Sequence, residues 1–158
     1  MSQITYLVGD ATQPIGSGRK IIAHVCNDIG LFGAGFALAV ANKWPGVKKD
    51  YQSLFEKENG ASLGTVQYVV LDQRLIVANM IAQHKVRSRK NPKPIDYAAL
   101  AVTLQDLARM ALLKRASVHM PKIGSGLAGG DWRIIEKLIS DKLCRSELGV
   151  YVYSLNSL

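Results

Sequence analysis

The amino-acid sequence predicts one domain of the α/β class, and two observations support this. Short apolar runs typical of strands alternate with longer segments whose apolar residues recur at helical spacing, as in layered folds whose helices cover a sheet. The chain has 158 residues, 48% hydrophobic and 20% charged, and a domain of that size buries about 68–70% of its unfolded surface. Because no repeat, linker or low-complexity tract divides the sequence, residues 1–158 are assigned to a single domain.

Six segments are predicted to be β-strands because they are short, apolar and rich in branched residues. The runs GTVQYVV and RLIVAN are separated only by LDQ, which is short enough for an antiparallel hairpin, so the sheet is predicted to be mixed. His24 and His119 fall inside two of the runs and are expected in the core. The predicted strands are 4–8, 21–25, 65–71, 75–79, 117–121 and 150–155.

Four helices are predicted between these strands. The third is supported by one apolar face, formed by Leu100, Leu104, Leu107 and Ala111 at helical spacing. The fourth follows Asp131, a residue type that is favoured at helix N-caps. The predicted helices are 35–44, 46–57, 95–113 and 132–143.

The charge of the chain indicates which type of partner it binds, and its cysteine content indicates the cellular compartment. Lys and Arg number 20 against 12 Asp and Glu, a net charge of +8, which favours anionic partners. Cys26 and Cys144 are far apart and in no C-x-x-C spacing, so both are expected to be reduced core thiols in a cytoplasmic protein. The N-terminus has no signal-peptide pattern, and no apolar run approaches the ~18 residues of a membrane span, so we expect a soluble chain with no membrane partner.

The segment PKIGSGLAGGDW places Gly124, Gly126 and Gly129 at the G-x-G-x-x-G spacing. A dinucleotide-binding Rossmann unit with this motif also needs an acidic residue about 20 positions on, at the end of the next strand. The remaining strand, GVYVYSL, is followed by Asn156 and has no acid at its carboxyl end. The sequence therefore argues against a Rossmann site.

Another glycine loop, which comes earlier in the chain, also lies between a strand and a helix. In IIAHVCNDIGLFGAGFALAVANKW, an apolar run is followed by Gly30, Gly33 and Gly35 and then by a helical pattern. Glycine lets consecutive backbone N–H groups approach phosphate oxygens, and a helix N-terminus adds a favourable field. Two such loops predict a clamp for a diphosphate. The alternative for either loop alone is a tight turn into its helix.

With these loops, the chain resembles the macro domain family of ADP-ribose-binding α/β modules over essentially its whole length. The matching segments are LVGDAT, HVCNDIGLFGAGFA, VANMIAQ and MPKIGSGLAGGDW, in that order. The resemblance implies a mixed sheet of mostly six strands sandwiched between helices. It also implies that ADP-ribose lies across the carboxyl ends of the strands, with the glycine loops holding its diphosphate and ribose.

The resemblance also assigns binding residues. Asp10, with Ala11 beside it, looks like the adenine reader, and the alternative for Asp10 is a turn or helix cap. Asn27 is similar to the asparagine that contacts the distal ribose, because an amide both donates and accepts hydrogen bonds. The first phosphate loop is Gly33, Ala34, Gly35 and Phe36, and the second is Ser125, Gly126, Leu127, Ala128 and Gly129.

The pattern HVCN with the later MPKIGSGLAGG is most similar to the branch that processes ADP-ribose-1''-phosphate. It also resembles branches that remove ADP-ribose from protein carboxylates or from DNA bases. The ester- and base-cleaving branch has an Asp where this chain has Ala128, and its lysine is replaced here by Gln83 or His84. These departures argue against a mechanism through a lysine adduct.

Four residues remain as catalytic candidates. Asn27 could orient a water, and His84 could act as acid or base because histidine titrates near neutrality. Asp28 or Asp131 would be the carboxylate partner. The alternative for Asn27 and Asp28 is that their side chains only satisfy loop backbone, and the alternative for His84 is an exposed side chain in a basic loop.

The basic segment, residues 84–94 (HKVRSRKNPKP), contains five Lys or Arg and no acid. Such runs are usually solvated surface, but this one follows NMIAQ, which borders the distal ribose in the resembling family. It is therefore also a candidate guide for nucleic acid or poly(ADP-ribose). No aromatic residues are interleaved to stack bases, so sequence-specific recognition is not supported. No zinc spacing, Walker loop, nucleophile elbow or carboxylate cluster is present, so no metal or cofactor is expected.

The sequence thus leaves two main functions. One is a hydrolase that holds an ADP-ribose derivative between two glycine loops while a positioned water attacks at the distal ribose or its phosphate. The other is a reader that binds ADP-ribose without turnover. A plain dinucleotide-binding module is a more distant third.

Overall fold

A computed structural model describes residues 2–58 and 60–156, which form one six-stranded sheet with helices on both faces. The elements are β1 (Ile4–Val8), β2 (Lys20–Asn27), α1 (Gly35–Lys43), α2 (Pro45–Ser53), a 3-10 turn (Leu54–Glu56), β3 (Val66–Val70), β4 (Leu75–Gln83), α3 (Tyr97–Lys114), β5 (Ser117–Pro121), α4 (Trp132–Leu143) and β6 (Val150–Ser154). The α/β class predicted from the alternating pattern is confirmed.

The sheet has the strand order β1-β6-β5-β2-β4-β3. Every neighbouring pair is parallel except the β3–β4 hairpin, which is antiparallel. This confirms the predicted mixed sheet. Because parallel strands end at the same edge of a sheet, the loops that follow β2, β4 and β5 meet there.

Two hydrophobic cores cover the two faces of the sheet. Side chains alternate along β2, so Ile21 and Ala23 pack in the core under α3 and α4, whereas Ile22 and Cys26 pack in the core under α1 and α2. A strand buried on both faces reads as a continuous apolar run, which is why the sequence of β2 shows little alternation. Cys144 is also buried, and both cysteines are free, as expected of core thiols.

Several boundaries differ from the prediction by one to four residues, and three of them have a clear local description. β4 continues to Gln83 rather than ending near residue 79, because the polar Asn79 is buried and hydrogen-bonded inside the strand. α3 begins at Tyr97 rather than at residue 95, since the Asp96 side chain accepts a hydrogen bond from the Ala99 N–H and caps the helix. α2 ends at Ser53 and tightens into the 3-10 turn. Within the described residues, no helix has the length and apolar character that a membrane crossing requires.

Leu104→Ala should lower the free energy of unfolding by about 2–5 kcal/mol, because it leaves a cavity between α3 and the sheet. Leu104 is fully buried in this core. The control is Val102→Ala on the same helix, where the side chain is 56% exposed and the change should stay within about 0.5 kcal/mol. Urea denaturation measures both. Equal effects of the two variants would contradict the packing described for α3.

Candidate functional site

A cleft of about 680 Å³ opens at the carboxyl ends of the central strands. Its lining includes Asn27 at the end of β2, Gln83 at the end of β4 and Pro121 at the end of β5. The pairing of β2 with β4 shifts register between Cys26 and Asn27, so that Asn27 pairs with Gln83. Such irregularities redirect a side chain at the end of a strand.

The first glycine loop forms one wall of the cleft. Gly33, Ala34 and Gly35 line it and are exposed. α1 begins at Gly35, whose φ of +56° suits glycine, and its N-cap residue Ala34 provides no side-chain cap. The backbone N–H groups of the first helical turn therefore remain available to an anion.

The second glycine loop forms the opposite wall, where Gly126, Leu127 and Ala128 line the cleft. Within the described part of the chain, the backbone N–H groups of these residues donate to no backbone or side-chain acceptor. A Cβ built on Gly126 would have no atom within 4 Å, and one built on Gly35 would lie 3.7 Å from Leu127 Cδ1. The two loops therefore approach each other across the cleft, with free N–H donors on both.

The other glycines of the second loop are needed for packing. Gly124 has φ +71°, and a Cβ there would lie 3.0 Å from Ile95 Cδ1. Gly129 has φ +73°, and a Cβ there would lie 2.8 Å from the Pro92 carbonyl oxygen. Of the three glycines in the G-x-G-x-x-G spacing, only Gly126 faces open space.

The charge of the cleft is positive. Lys48 of α2, Arg87 of the basic segment and Lys122, which directly follows β5, line it. No Asp or Glu occurs among the described residues of its lining. Because cations with no carboxylate partner among the described residues and free N–H groups converge there, the cleft is suited to an anionic ligand such as a diphosphate.

Asn27 organises the first loop through its side chain. Its Oδ1 accepts hydrogen bonds from the N–H groups of Ile29 (3.0 Å) and Leu31 (3.2 Å) and lies 2.8 Å from the Tyr51 hydroxyl. Its Nδ2 donates to the Leu31 carbonyl at 2.6 Å. The oxygen is saturated, so Asn27 has one amide N–H left to donate and no acceptor to offer.

Asp28 and His84 form a pair at the edge of the cleft. Asp28 Oδ2 lies 2.8 Å from His84 Nδ1, and Asp28 Oδ1 accepts a hydrogen bond from the Lys85 N–H at 2.7 Å. The side chains of His84 and Asp28 are 57% and 15% exposed. Neither residue is part of the lining, but each directly follows a residue that is, Asn27 or Gln83. The pair also fixes the start of the basic segment against the first loop.

Asp131 lies away from the cleft lining and caps α4. Its Oδ1 accepts a hydrogen bond from the Arg133 N–H at 2.9 Å. The backbone and side chain of Arg133 both lower the pKa of this carboxyl, which makes it a weaker base. Ser125 and Gly129 of the second loop also fall outside the lining, and Ser125 Oγ donates to the Lys122 carbonyl at 2.8 Å.

Asp10 and Ala11 follow β1, which is separated from β5 by β6. They do not line the cleft. Asp10 Oδ1 accepts hydrogen bonds from the N–H and hydroxyl of Thr12, each at 2.8 Å. These contacts are those of a turn cap, while Asp10 Oδ2 accepts none within the described residues. Ala11 is buried, and an adenine-binding role for this pair stays a prediction.

His24 is buried at the base of the cleft. Its Nε2 lies 2.5 Å from Asn79 Oδ1, and Phe32 and Phe36 pack edge-on against its ring. Burial lowers its pKa to about 4, so the imidazole is neutral at pH 7. Burial also raises the pKa of the adjacent Cys26 thiol, which therefore stays protonated. His119 is buried elsewhere, against the Tyr153 hydroxyl, and burial lowers its pKa to about 4 as well.

The lining contains two residues of α2 that sequence reasoning had not assigned to ligand binding, Lys48 and Gln52. Val86 and Arg87 also line it, and they belong to the basic segment, which the sequence marked as a candidate guide for an anionic partner. Helix α2 carries no motif, so nothing in its sequence marked Lys48. Within the described residues, no group of three or more His, Cys, Asp or Glu side chains could hold a metal ion.

Comparisons with known proteins fit this architecture. No protein-family model matches the chain. The mouse "Chromodomain-helicase-DNA-binding protein 1-like" is 32% identical over 163 residues, which cover 96% of this chain and only 18% of the mouse protein. The "ADP-ribose 1''-phosphate phosphatase" of Lodderomyces elongisporus is 30% identical over 158 residues, covering 94% of this chain and 98% of that protein.

A solved macrodomain protein from Streptomyces coelicolor is 44% identical, with a TM-score of 0.84 over 96% of this chain and 99% of that chain. This chain belongs to the macro domain family. The resemblance drawn from the glycine loops is therefore confirmed. The macro domain described here has its glycine loops at the carboxyl ends of the central parallel strands.

The buried histidines should make this macro domain less stable in mild acid. Their pKa of about 4 lies below the 6.5 of an exposed histidine, so the unfolded chain binds protons that the folded chain does not. The free energy of unfolding should therefore fall as the pH drops from 6.5 to 5, by up to about 1.4 kcal/mol per pH unit for each histidine. Urea denaturation at several pH values measures the slope.

His24→Gln should make that pH dependence about half as steep, because it removes one of two such groups. An unchanged slope in His24→Gln, or a flat profile in the unsubstituted protein, would contradict the neutral, buried state of His24.

Proposed function

We propose that this macro domain binds ADP-ribose in the cleft and hydrolyses an ADP-ribose derivative, either ADP-ribose-1''-phosphate or an ADP-ribosylated macromolecule. The observation that carries the proposal is the cleft itself, in which free N–H groups from two loops face each other beside three cations and no carboxylate. The relatives named ADP-ribose 1''-phosphate phosphatase support the reaction class.

The proposed ligand lies with its diphosphate between the two glycine loops. The open first turn of α1 and the N–H groups of Gly126, Leu127 and Ala128 would donate to its oxygens. Its distal ribose would contact the free N–H of Asn27. The adenine would extend toward Asp10, whose Oδ2 could accept a proton of the exocyclic amine.

Lys48 and Arg87 would interact with the group that is attached to the distal ribose. Both line the cleft with Asn27, and neither is paired with a carboxylate in the described chain. A phosphate or another anionic leaving group would be stabilised by these charges as the bond to it breaks. This supports a phosphate-bearing substrate over a neutral one.

For proton transfer we favour the Asp28–His84 pair over Asp131. The carboxylate holds His84 Nδ1, which leaves Nε2 free to exchange a proton with water or substrate. The Asp131 carboxylate instead accepts a hydrogen bond from the Arg133 N–H and caps α4.

A non-catalytic ADP-ribose reader is the second candidate. It is favoured by one observation, that Asp28, His84 and Asp131 all lie outside the cleft lining. A product assay separates the two, with ADP-ribose carrying a phosphate, a protein carboxylate, an acetyl ester or a nucleobase at the distal ribose. If the protein turns over none of these conjugates, the hydrolase is excluded and the non-catalytic ADP-ribose reader remains.

ADP-ribose should bind with micromolar affinity, about −8 kcal/mol, and more tightly than AMP or NAD, because only ADP-ribose fills all parts of the proposed site. Gly126→Val should abolish this binding, since its side chain would enter the space that the diphosphate needs. The substituted protein should stay folded because nothing lies within 4 Å of that Cβ. Isothermal calorimetry measures the affinities and circular dichroism the fold.

Gly46→Val is the matched control. A Cβ on Gly46 also meets no atom within 4 Å, and Gly46 lies on α2 outside the cleft lining, so binding should be unchanged. Equal or tighter binding of AMP would exclude a distal ribose site, and normal binding by a folded Gly126→Val variant would exclude the two-loop clamp.

Asn27→Ala should lower turnover of an ADP-ribose conjugate far more than it weakens ADP-ribose binding. Loss of an oriented water costs roughly 10²-fold in rate, whereas a single hydrogen bond to the ribose contributes about 0.5–1.5 kcal/mol. The measurements are kcat and Kd on the same variant.

Two further variants separate chemistry from loop geometry. Tyr51→Phe removes the hydroxyl that lies 2.7 Å from the Asn27 backbone carbonyl and 2.8 Å from Asn27 Oδ1. It keeps the free amide N–H of Asn27, so kcat should change little. His84→Ala should lower kcat with Kd nearly unchanged. If Asn27→Ala loses rate and binding equally, Asn27 only anchors the substrate, and a similar loss in Tyr51→Phe would assign the effect to the loop.

A further inference from the structure

A second positively charged surface lies at the opposite end of the sheet from the cleft. Arg19, Lys20, Arg74 and Lys114 line a depression of about 280 Å³ there. It adjoins a shallower one of about 500 Å³, which Arg19 and Arg74 also line. β2 and β4 begin at this edge, so none of these residues contributes to the cleft. We call this surface the amino-end basic surface.

The backbone holds these cations together. The Lys20 N–H donates to the Arg74 carbonyl at 2.8 Å, and the Ser117 N–H donates to the Arg19 carbonyl at 3.0 Å. Arg19 Nη1 lies 3.4 Å from the Lys114 carbonyl. The start of β2, the β3–β4 turn and the end of α3 are thereby tied to one another, which places the four basic residues around one depression.

The four cations have no carboxylate partner within the described residues. Asp72 is the one acid in the lining, and its Oδ1 accepts a hydrogen bond from the backbone N–H of Arg74 at 2.7 Å. Close, unpaired like charges destabilise the free protein, and an anionic ligand would relieve that repulsion.

A third glycine loop adds N–H donors beside these charges. Gly16 and Gly18 have φ values of +98° and +87°, and a Cβ on either would meet no atom within 4 Å. Ser17 and Gly18 line the shallower depression. Their backbone N–H groups donate to no acceptor in the part of the chain that the structure describes. The letters Ile-Gly-Ser-Gly at residues 15–18 repeat those at 123–126 in the cleft.

We propose that the amino-end basic surface binds the phosphate backbone of nucleic acid, independently of the cleft. Clustered cations beside free N–H groups provide charge and hydrogen bonds for successive phosphates. Among the described residues, no aromatic side chain lines either depression, so no base is stacked and binding has no sequence preference. A nucleic acid lying along the basic segment beside the cleft is the competing arrangement.

The test is fluorescence anisotropy of a labelled DNA duplex of arbitrary sequence, titrated at several NaCl concentrations. Four phosphate contacts predict a slope of log K against log salt of about −3.6. Arg19→Gln/Arg74→Gln should make the slope less steep by about 2. The matched control is Arg89→Gln/Lys90→Gln in the basic segment, which should leave the slope unchanged. Saturating ADP-ribose should not displace the duplex from the unsubstituted protein.

Absence of duplex binding at low salt would overturn the proposal. A loss confined to Arg89→Gln/Lys90→Gln would place the nucleic acid along the basic segment instead. Equal losses in both double variants would mean that net charge alone attracts the duplex. ADP-ribose calorimetry on Arg19→Gln/Arg74→Gln checks the fold and tests the cleft separately, so failure here leaves the proposed function standing.

Discussion

The parallel pairing of β2 with both β4 and β5 is the constraint on which the rest of the molecule depends. Lys20 pairs with Leu75 on one side and with Ser117 on the other, so the three strands begin together. Because they run in the same direction, the loops that follow them must meet at one edge. Glycine loops distant in sequence thereby become the two walls of one cleft, and the loops that precede the strands gather cations at the other edge.

The cleft also depends on the Asn27 side chain. Its hydrogen bonds to Ile29, Leu31 and Tyr51 hold the turn between β2 and the first glycine loop. A substitution that removes the Asn27 amide would leave its buried hydrogen-bond partners unsatisfied, which would lower the free energy of unfolding. Asn27 thus holds the first glycine loop and also lines the cleft, so a change at this position acts on both.

Part of the net charge of +8 is concentrated at two places on the surface. Among the described residues, three cations and no carboxylate line the cleft, and four other cations line the depression at the amino ends of the strands. Family membership accounts for the fold and for the position of the glycine loops. It does not decide catalysis, because the candidate acids and bases of this chain lie beside the cleft rather than in its lining.

The sequence alone determined the α/β class, the antiparallel β3–β4 pair, the core face of α3 and the two glycine loops. Each of these depends on residues that are neighbours in sequence, so periodicity and turn chemistry are sufficient to predict it. It could not show that Gly124 and Gly129 serve packing while Gly126 faces open space, nor that Lys48 and Arg87 reach the cleft. Nor could it show that Asp28 holds His84. Only the tertiary structure decided these points, because each depends on which distant segments the sheet brings within a few ångströms of one another.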